Sequence, residues 1–266
     1  MNLKTRIWFA IHTHRRNRLV ARFARLCKNI HRASEHPGDD IASNGEKFVL
    51  AHAVSAEKPV LFDVGANVGN WTDMAKNLFP RATIHAFELN PKIALTLTDR
   101  FSGIKNIHIH PFGLAAAAGK VDFFAYPGEA SVLSGLRAPL HSHVPHTRET
   151  AEVRTGDEVC REQGIAQIDF LKVDAEGADF EVLSGFDKML TGQKISVIQF
   201  EHQGGRYLRD FYDFLEPKGY AIGKLYANYV DFRNHDSELE QFLGPNYIVV
   251  PKEKTELIAA LLKGWS

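Results

Sequence analysis

The sequence predicts an α/β fold built on a doubly wound, mostly parallel sheet. Short apolar runs alternate with helical stretches of about 10–13 residues, the pattern of strands joined by crossover helices. The chain has 266 residues, 44% hydrophobic and 24% charged, enough to bury a sizeable core without staples. No internal repeat or low-complexity tract interrupts the alternation.

Glu46 to Val54 is a short helical pattern after the Asn44-Gly45 turn signal, and Val60 to Gly65 is a buried strand ending in glycine. A helix over Asn70 to Phe79 stops at Pro80, and Thr83 to Glu88 is a second strand. Pro91 opens a helix that reaches about Phe101, followed by a strand over Ile107 to Phe112. Val121 to Tyr126 alternates like a half-exposed strand, and residues 127–150 read as irregular. Asp157 to Gln163 is helical, Ile168 to Asp174 a strand, Ala178 to Leu190 one helix and Ile195 to Phe200 a strand. Tyr207 to Leu215 is a helix; Tyr220 to Tyr226 and Tyr247 to Val250 close the sheet, and Thr255 to Leu262 is a last helix.

Charge divides the chain. Lys and Arg number 32, as do Asp and Glu, so the net charge is zero, which argues against a dominant nucleic-acid or polyanion role for the chain as a whole. Residues 1–36 nevertheless carry nine Lys and Arg against one acid, Glu35, a net of +8 that leaves −8 on the rest. Leu19, Phe23, Leu26 and Ile30 form one helical stripe there, and Leu3, Ile7 and Ile11 a shorter one. The expected division is a basic helical extension and linker over 1–44 and a body over 45–266. Ala33 to Asp40 reads as the linker. Three readings of the arm stay open. It packs its stripe on the acidic body or a second subunit, it rests on an anionic membrane surface, or it is a transit peptide, although it lacks the usual serines. No apolar run approaches 18 residues, and Ile7 to Ile11 is too short for a secretory core. A cytoplasmic placement is expected, free or peripheral at the membrane. Cys27 and Cys160 are too few for a disulfide scaffold or a cysteine-built zinc site.

Ligands of such sheets bind outside the carboxyl ends of the strands, so the strand exits carry the functional expectation. The first exit is Asp63-Val-Gly65-Ala-Asn67-Val-Gly69, a turn opening a helix whose free N–H groups suit an anionic group. It fails the dinucleotide fingerprint, because Asn67 and Asn70 stand where glycines belong. Asp63 suits a cationic group such as an amine or sulfonium. The second exit places Glu88 19 residues after Gly69, where a carboxylate accepts from ribose hydroxyls. A later exit is Lys172-Val-Asp174-Ala-Glu176-Gly177, and the next ends Phe200-Glu201-His202. These acids converge on one edge, and like charges so placed demand a cation or a proton.

Together these segments resemble the FkbM family of S-adenosylmethionine-dependent methyltransferases. The resemblance rests on Phe62-Asp-Val-Gly-Ala-Asn-Val-Gly69, Phe87-Glu88-Leu-Asn-Pro91, Val153-Arg-Thr-Gly-Asp157, and Leu171-Lys-Val-Asp-Ala-Glu-Gly177 with Val182-Leu-Ser-Gly185, and it spans roughly Gly45 to Pro251. The chain has Thr155-Gly156-Asp157 where the family usually has Thr-Leu-Asp, and Asp174-Ala-Glu-Gly where it usually has Asp-Val-Glu-Gly. The resemblance implies a Rossmann-like class I methyltransferase fold, with seven strands and an antiparallel last strand. It also implies methyl transfer from S-adenosyl-L-methionine to a hydroxyl of a sugar, glycan or natural product. Asp63, Gly65, Asn67, Gly69, Glu88 and Asp174 are the expected cofactor-binding residues.

An alcohol needs a base, and His202, Glu201 and Asp174 are the candidates. His202 ranks first by its intrinsic pKa. Asp174, Glu176 and Glu201 are hard-cation donors, but no metal is assigned. His141-Ser-His143-Val-Pro-His146 is not a zinc pattern and reads as a solvated loop. The long stretch 127–150 is the expected acceptor-binding loop, with Ser131, Ser134, His143 and His146 as candidate contacts. Nucleic-acid partners are not expected. Rival readings are a nicotinamide oxidoreductase, a partner-binding module without turnover, and an amine methyltransferase; the amine signature is absent.

Overall fold

A computed structural model describes residues 2–35, 38, 40–41, 43–126, 146–202, 206–241 and 246–264. The arm forms two helices, α1 (Leu3–Thr13) and α2 (Arg18–Glu35), so the second runs into the segment expected to be linker. The body contains α3 (Glu46–Ala53), β1 (Val60–Val64), α4 (Asn70–Leu78), β2 (Thr83–Phe87), α5 (Pro91–Arg100), β3 (Ile107–His110), β4 (Gly113–Leu114) and β5 (Gly119–Ala125). It continues through β6 (Thr147–Arg154), α6 (Gly156–Gln163), β7 (Phe170–Val173), α7 (Asp179–Ser184), α8 (Asp187–Thr191) and β8 (Ile198–Glu201). It closes with α9 (Leu208–Leu215), β9 (Tyr220–Leu225), β10 (Val230–Phe232), β11 (Asn246–Pro251) and α10 (Thr255–Lys263).

The main sheet has the order β10-β9-β11-β8-β7-β1-β2-β3. Strands β3, β2, β1, β7 and β8 are parallel, and β11 runs antiparallel between β8 and β9. The antiparallel last strand is therefore present. The expected seven strands are corrected to eight: the three-residue β10 pairs antiparallel with β9 and forms the edge. A second sheet, β4-β6-β5, lies apart. Its strand β6 corrects the expectation that residues up to 150 are irregular. Thr147–Arg154 turns only Ala151 and Val153 fully inward, too little apolar signal for a strand assignment. The candidate contacts Ser131, Ser134 and His143 lie outside the described residues; His146 packs its ring against Phe124 and Tyr126.

Strand side chains alternate between faces, and each face builds its own core. Phe62, Val64, Leu171, Val173 and Phe200 pack under α6 to α9, while Leu61, Phe170, Val197 and Ile84 pack under α3, α4, α5 and α10. The helix expected over Ala178 to Leu190 breaks in two. Gly185 passes so close to the Ala115 carbonyl that a Cβ would stand 2.2 Å from its oxygen, a tertiary contact that periodicity does not show. Gly156, the departure from the usual leucine, has a similar cause: a Cβ there would meet the Phe186 ring at 2.2 Å.

The arm does not pack its stripe on the body. Neither α1 nor α2 has a buried residue, and Leu19, Phe23, Leu26 and Ile30 are all exposed. Helices of the body already cover both faces of the main sheet, and the body's exposed large apolar side chains are scattered among the described residues. Among the described residues no helix is long and apolar enough to cross a membrane.

Candidate active site

The exits of β1, β2, β7 and β8 meet at one edge of the sheet. After β1 the chain turns through Gly65 at φ +80°, a left-handed conformation that favours glycine. A Cβ on Gly65 would stand 1.8 Å from the Asp174 carbonyl oxygen, so the β1 and β7 exits touch backbone to backbone. Gly69 (φ +86°) opens α4 against Leu97 and Phe101. Asn67, also left-handed at φ +49°, donates its N–H to Glu88 Oε2 at 2.8 Å. Glu88 Oε1 accepts from Asn90 N at 2.8 Å. Glu88 is thus a buried clasp between the first two exits, and burial raises its pKa against those two backbone bonds.

Asp63 on β1 and Lys172 on β7 stand in register, as do Lys172 and Gln199 on β8. Asp63 is fully buried. Its Oδ2 accepts from Thr72 Oγ1 at 2.7 Å, and its Oδ1 lies 3.7 Å from Lys172 Nζ. Lys172 Nζ donates to Asp174 Oδ2 at 3.0 Å. Asp63 therefore reaches the edge through Lys172 rather than by facing it. Burial works against the Lys172 ammonium, yet Asp174, Asp63 and Glu46 outweigh it and hold its pKa above the ordinary value. Asp174 is also pushed up by burial, but Lys172 and a hydrogen bond with Glu201 bring its carboxyl below the usual range.

More carboxyls crowd the same edge. Asp179 accepts from Glu201 N (3.2 Å) and Gly177 N (3.3 Å), tying the β7 and β8 exits together. Its pKa is pushed up to about 8 by burial and then by Asp174. Glu176, at φ +49°, is raised to about 7 by the same two causes in the same order. A cleft of about 450 Å3 opens beside this network, lined by Asp40, Ile41, Glu46, the Gly65–Val68 turn, Asn70, Trp71, Lys172 and Asp174. That volume lies within the range of small-molecule sites.

Glu88 and Glu201 are not among the residues lining that cleft, and neither is His202. Its ring is buried, edge-on to Phe211 and Tyr247, with Nε2 2.9 Å from the Arg206 carbonyl oxygen. Burial lowers its pKa. Sequence reasoning missed Glu46, which is buried at the start of α3 and accepts from Asn44 Nδ2 at 2.6 Å. The only local signal is the turn before it. Gly45, at φ +98°, sits where a Cβ would meet the Tyr226 carbonyl oxygen at 2.2 Å, and this turn carries Glu46 inward. Among the described residues, no group of three or more His, Cys, Asp or Glu has metal-holding geometry.

Comparison with known proteins gives one family. The model of the methyltransferase FkbM domain matches residues 63–239. The chain is 32% identical over 161 residues to methyltransferase sdnD of Sordaria araneosa, covering 49% of this chain and 61% of that protein. It is 24% identical to the 2-O-methyltransferase NoeI of Sinorhizobium fredii, covering 54% and 64%. It is 27% identical to the hexuronic acid methyltransferase AglP of Haloferax volcanii, covering 62% and 65%. The matches span less than two thirds of the length of each of these relatives.

Proposed function

This chain belongs to the FkbM methyltransferase domain family, and we propose that it moves a methyl group from S-adenosylmethionine to a hydroxyl oxygen on a sugar, glycan or natural product. The observation that carries the proposal is the buried Asp63–Lys172–Asp174 network beneath a glycine turn that only glycine can form. The acceptor class rests on two relatives, whose names specify a 2-O-methyltransferase and a hexuronic acid methyltransferase.

The residues fit the cofactor. Asn67 Oδ1 and Trp71 Nε1 are buried without a hydrogen-bond partner among the described residues, and both side chains line the cleft. An acceptor and a donor left open there match the ammonium and carboxylate of an amino-acid moiety. Gly65, Asn67, Gly69 and the start of α4 would hold that moiety. Glu88, with lone pairs left on both oxygens, would hold the ribose. Asp63 acts at one remove, fixing Lys172. S-adenosylmethionine supplies a methyl carbon made electrophilic by its sulfonium.

The protein's own task is to orient the acceptor oxygen and take its proton. Alignment does most of the work in a displacement at carbon. Asp174 is held ionised by Lys172 and is hydrogen-bonded with Glu201, so the two carboxyls can take the proton from an alcohol as its oxygen attacks. His202 anchors the Arg206 backbone in this scheme and is not the base.

Calorimetric titration with S-adenosylmethionine and S-adenosylhomocysteine tests the cofactor. Glu88→Ala should weaken both about tenfold or more, as loss of charge-assisted hydrogen bonds does. Asp174→Asn should keep S-adenosylhomocysteine affinity while turnover on a panel of uronic acids and glycan hydroxyls falls about 100-fold or more. Failure of the folded protein to bind either compound would overturn the proposal and leave a partner-binding module as the better account.

A further inference from the structure

We propose that the arm docks the protein on an anionic lipid bilayer, with α1 and α2 lying in the interface. No residue of either helix is buried, yet both carry large apolar side chains: Trp8 is 66% exposed, Phe9 65%, Leu19 73%, Phe23 67%, Leu26 54% and Ile30 60%. The four on α2 fall on one stripe, and Arg18, Arg22, Arg25 and Arg32 form one flank beside it. Long basic side chains so placed reach out to headgroups while the stripe enters the acyl boundary.

Charge selects the occupant. The arm holds nine Lys and Arg and only Glu35 as an acid, and among the described residues no ion pair joins any of the nine to a carboxylate. An anionic leaflet attracts such a segment. A second arm would set +8 beside +8. The body of a second copy is acidic but offers no matching apolar face among the described residues. Its exposed large apolar residues, among those described, are Leu95, Tyr207, Tyr229 and Leu262, spread over α5, the start of α9 and the corner between β10 and α10. A soluble polyanion would use the charge and leave the stripe idle. The root of the arm also sits beside the cleft: Glu35 pairs with Lys224 on β9, and Asp40 and Ile41 line the cleft wall. A docked arm therefore keeps the cleft near the bilayer surface. This inference is independent of the reaction proposed above.

The test is co-sedimentation of the full chain with phosphatidylcholine vesicles, with and without phosphatidylglycerol. Binding should require phosphatidylglycerol and should fall at about 1 M salt, where the screening length is about 3 Å. Phe23→Glu with Leu26→Glu should weaken it about 100-fold, since two apolar side chains leave the interface. Both residues are exposed, so circular dichroism and the melting temperature of the double variant should match the parent. Three results overturn the inference: no binding to phosphatidylglycerol vesicles, undiminished binding by the double variant, or dimerisation dispersed by that variant in a chain that ignores vesicles.

Discussion

Lys172→Met tests whether the buried network rests on one ammonium. The methionine keeps most of the stem and removes the charge that stands 3.0 Å from Asp174 and 3.7 Å from Asp63. The lysine side chain is 7% exposed and that of Asp63 0%, so water cannot replace the partner Asp63 loses, whereas Asp174, 35% exposed, stays partly solvated. Removing one member of a buried ion pair costs about 3–5 kcal/mol, because the remaining charge is left uncompensated. For a domain of this size each kcal/mol shifts the melting temperature by about 2–4 °C, so the expected fall is about 6–20 °C. The deficit should depend on pH with a definite sign. A carboxyl whose pKa is raised in the folded state loses stability as pH climbs from its unfolded value, about 4, through its folded value. Burial already makes Asp63 such a group with Lys172 beside it, and losing that ammonium raises it further, while Asp174 loses the first of the partners that hold it down. The variant should therefore lie closer to the parent at pH 5 than at pH 8 in differential scanning fluorimetry. Adding Asp63→Asn removes one orphaned charge and should restore part of the loss at pH 8. A fall of under about 1 kcal/mol, or a deficit equal at both pH values, would refute the reasoning.

Two further substitutions probe the frame around that network. Gly65→Ala forces a Cβ into the Asp174 carbonyl at a left-handed φ, so it should cost more than the roughly 1–2 kcal/mol of backbone strain alone and abolish S-adenosylhomocysteine binding. Retained binding in calorimetry would show that the two exits need not touch. Asp179→Asn removes a carboxyl that burial pushes up to about 8. Ionising that group destabilises the fold as pH rises from about 4 to its folded value, so the variant should gain on the parent across that window. A difference in melting temperature that stays flat with pH would show that Asp179 titrates normally.

The parallel core was legible because its strands are short apolar runs ending in Asp63-Val-Gly65, Glu88 or Lys172-Val-Asp174. What stayed hidden was set by contacts distant in sequence. Gly185 alone is a weak local sign of a helix end, and the contact that excludes a side chain there, the Ala115 carbonyl, is distant in sequence. The eighth strand, β10, is three residues long, below the length at which a period can be recognised. Strand β6 points Thr, Arg and Glu outward along most of its length. Glu46 looked like an ordinary helix-start acid, and only the fold of its turn onto Tyr226 carries it to Lys172.

Choosing among the candidate bases required direction as well as residue type, and strand parity supplies direction. Alternate residues of a strand point to opposite faces. Leu61, Phe170 and Val197 belong to the core under α3, α4, α5 and α10. Asp63, Lys172 and Gln199, two residues further along each chain, therefore point the same way, and their registers place them side by side. Extending the alternation by two carries Asp174 and Glu201 to that face, which is where their hydrogen bond forms. Phe200 has the other parity: it stacks on Phe211 in the opposite core, at 4.4 Å between ring centroids. His202 follows Phe200 and ends against the same Phe211 and Tyr247. A ranking by intrinsic pKa favours the imidazole, but two residues of backbone geometry turn it away from the carboxylates. The proton acceptor we propose is therefore the Asp174–Glu201 pair, on the face where Lys172 keeps one of them charged.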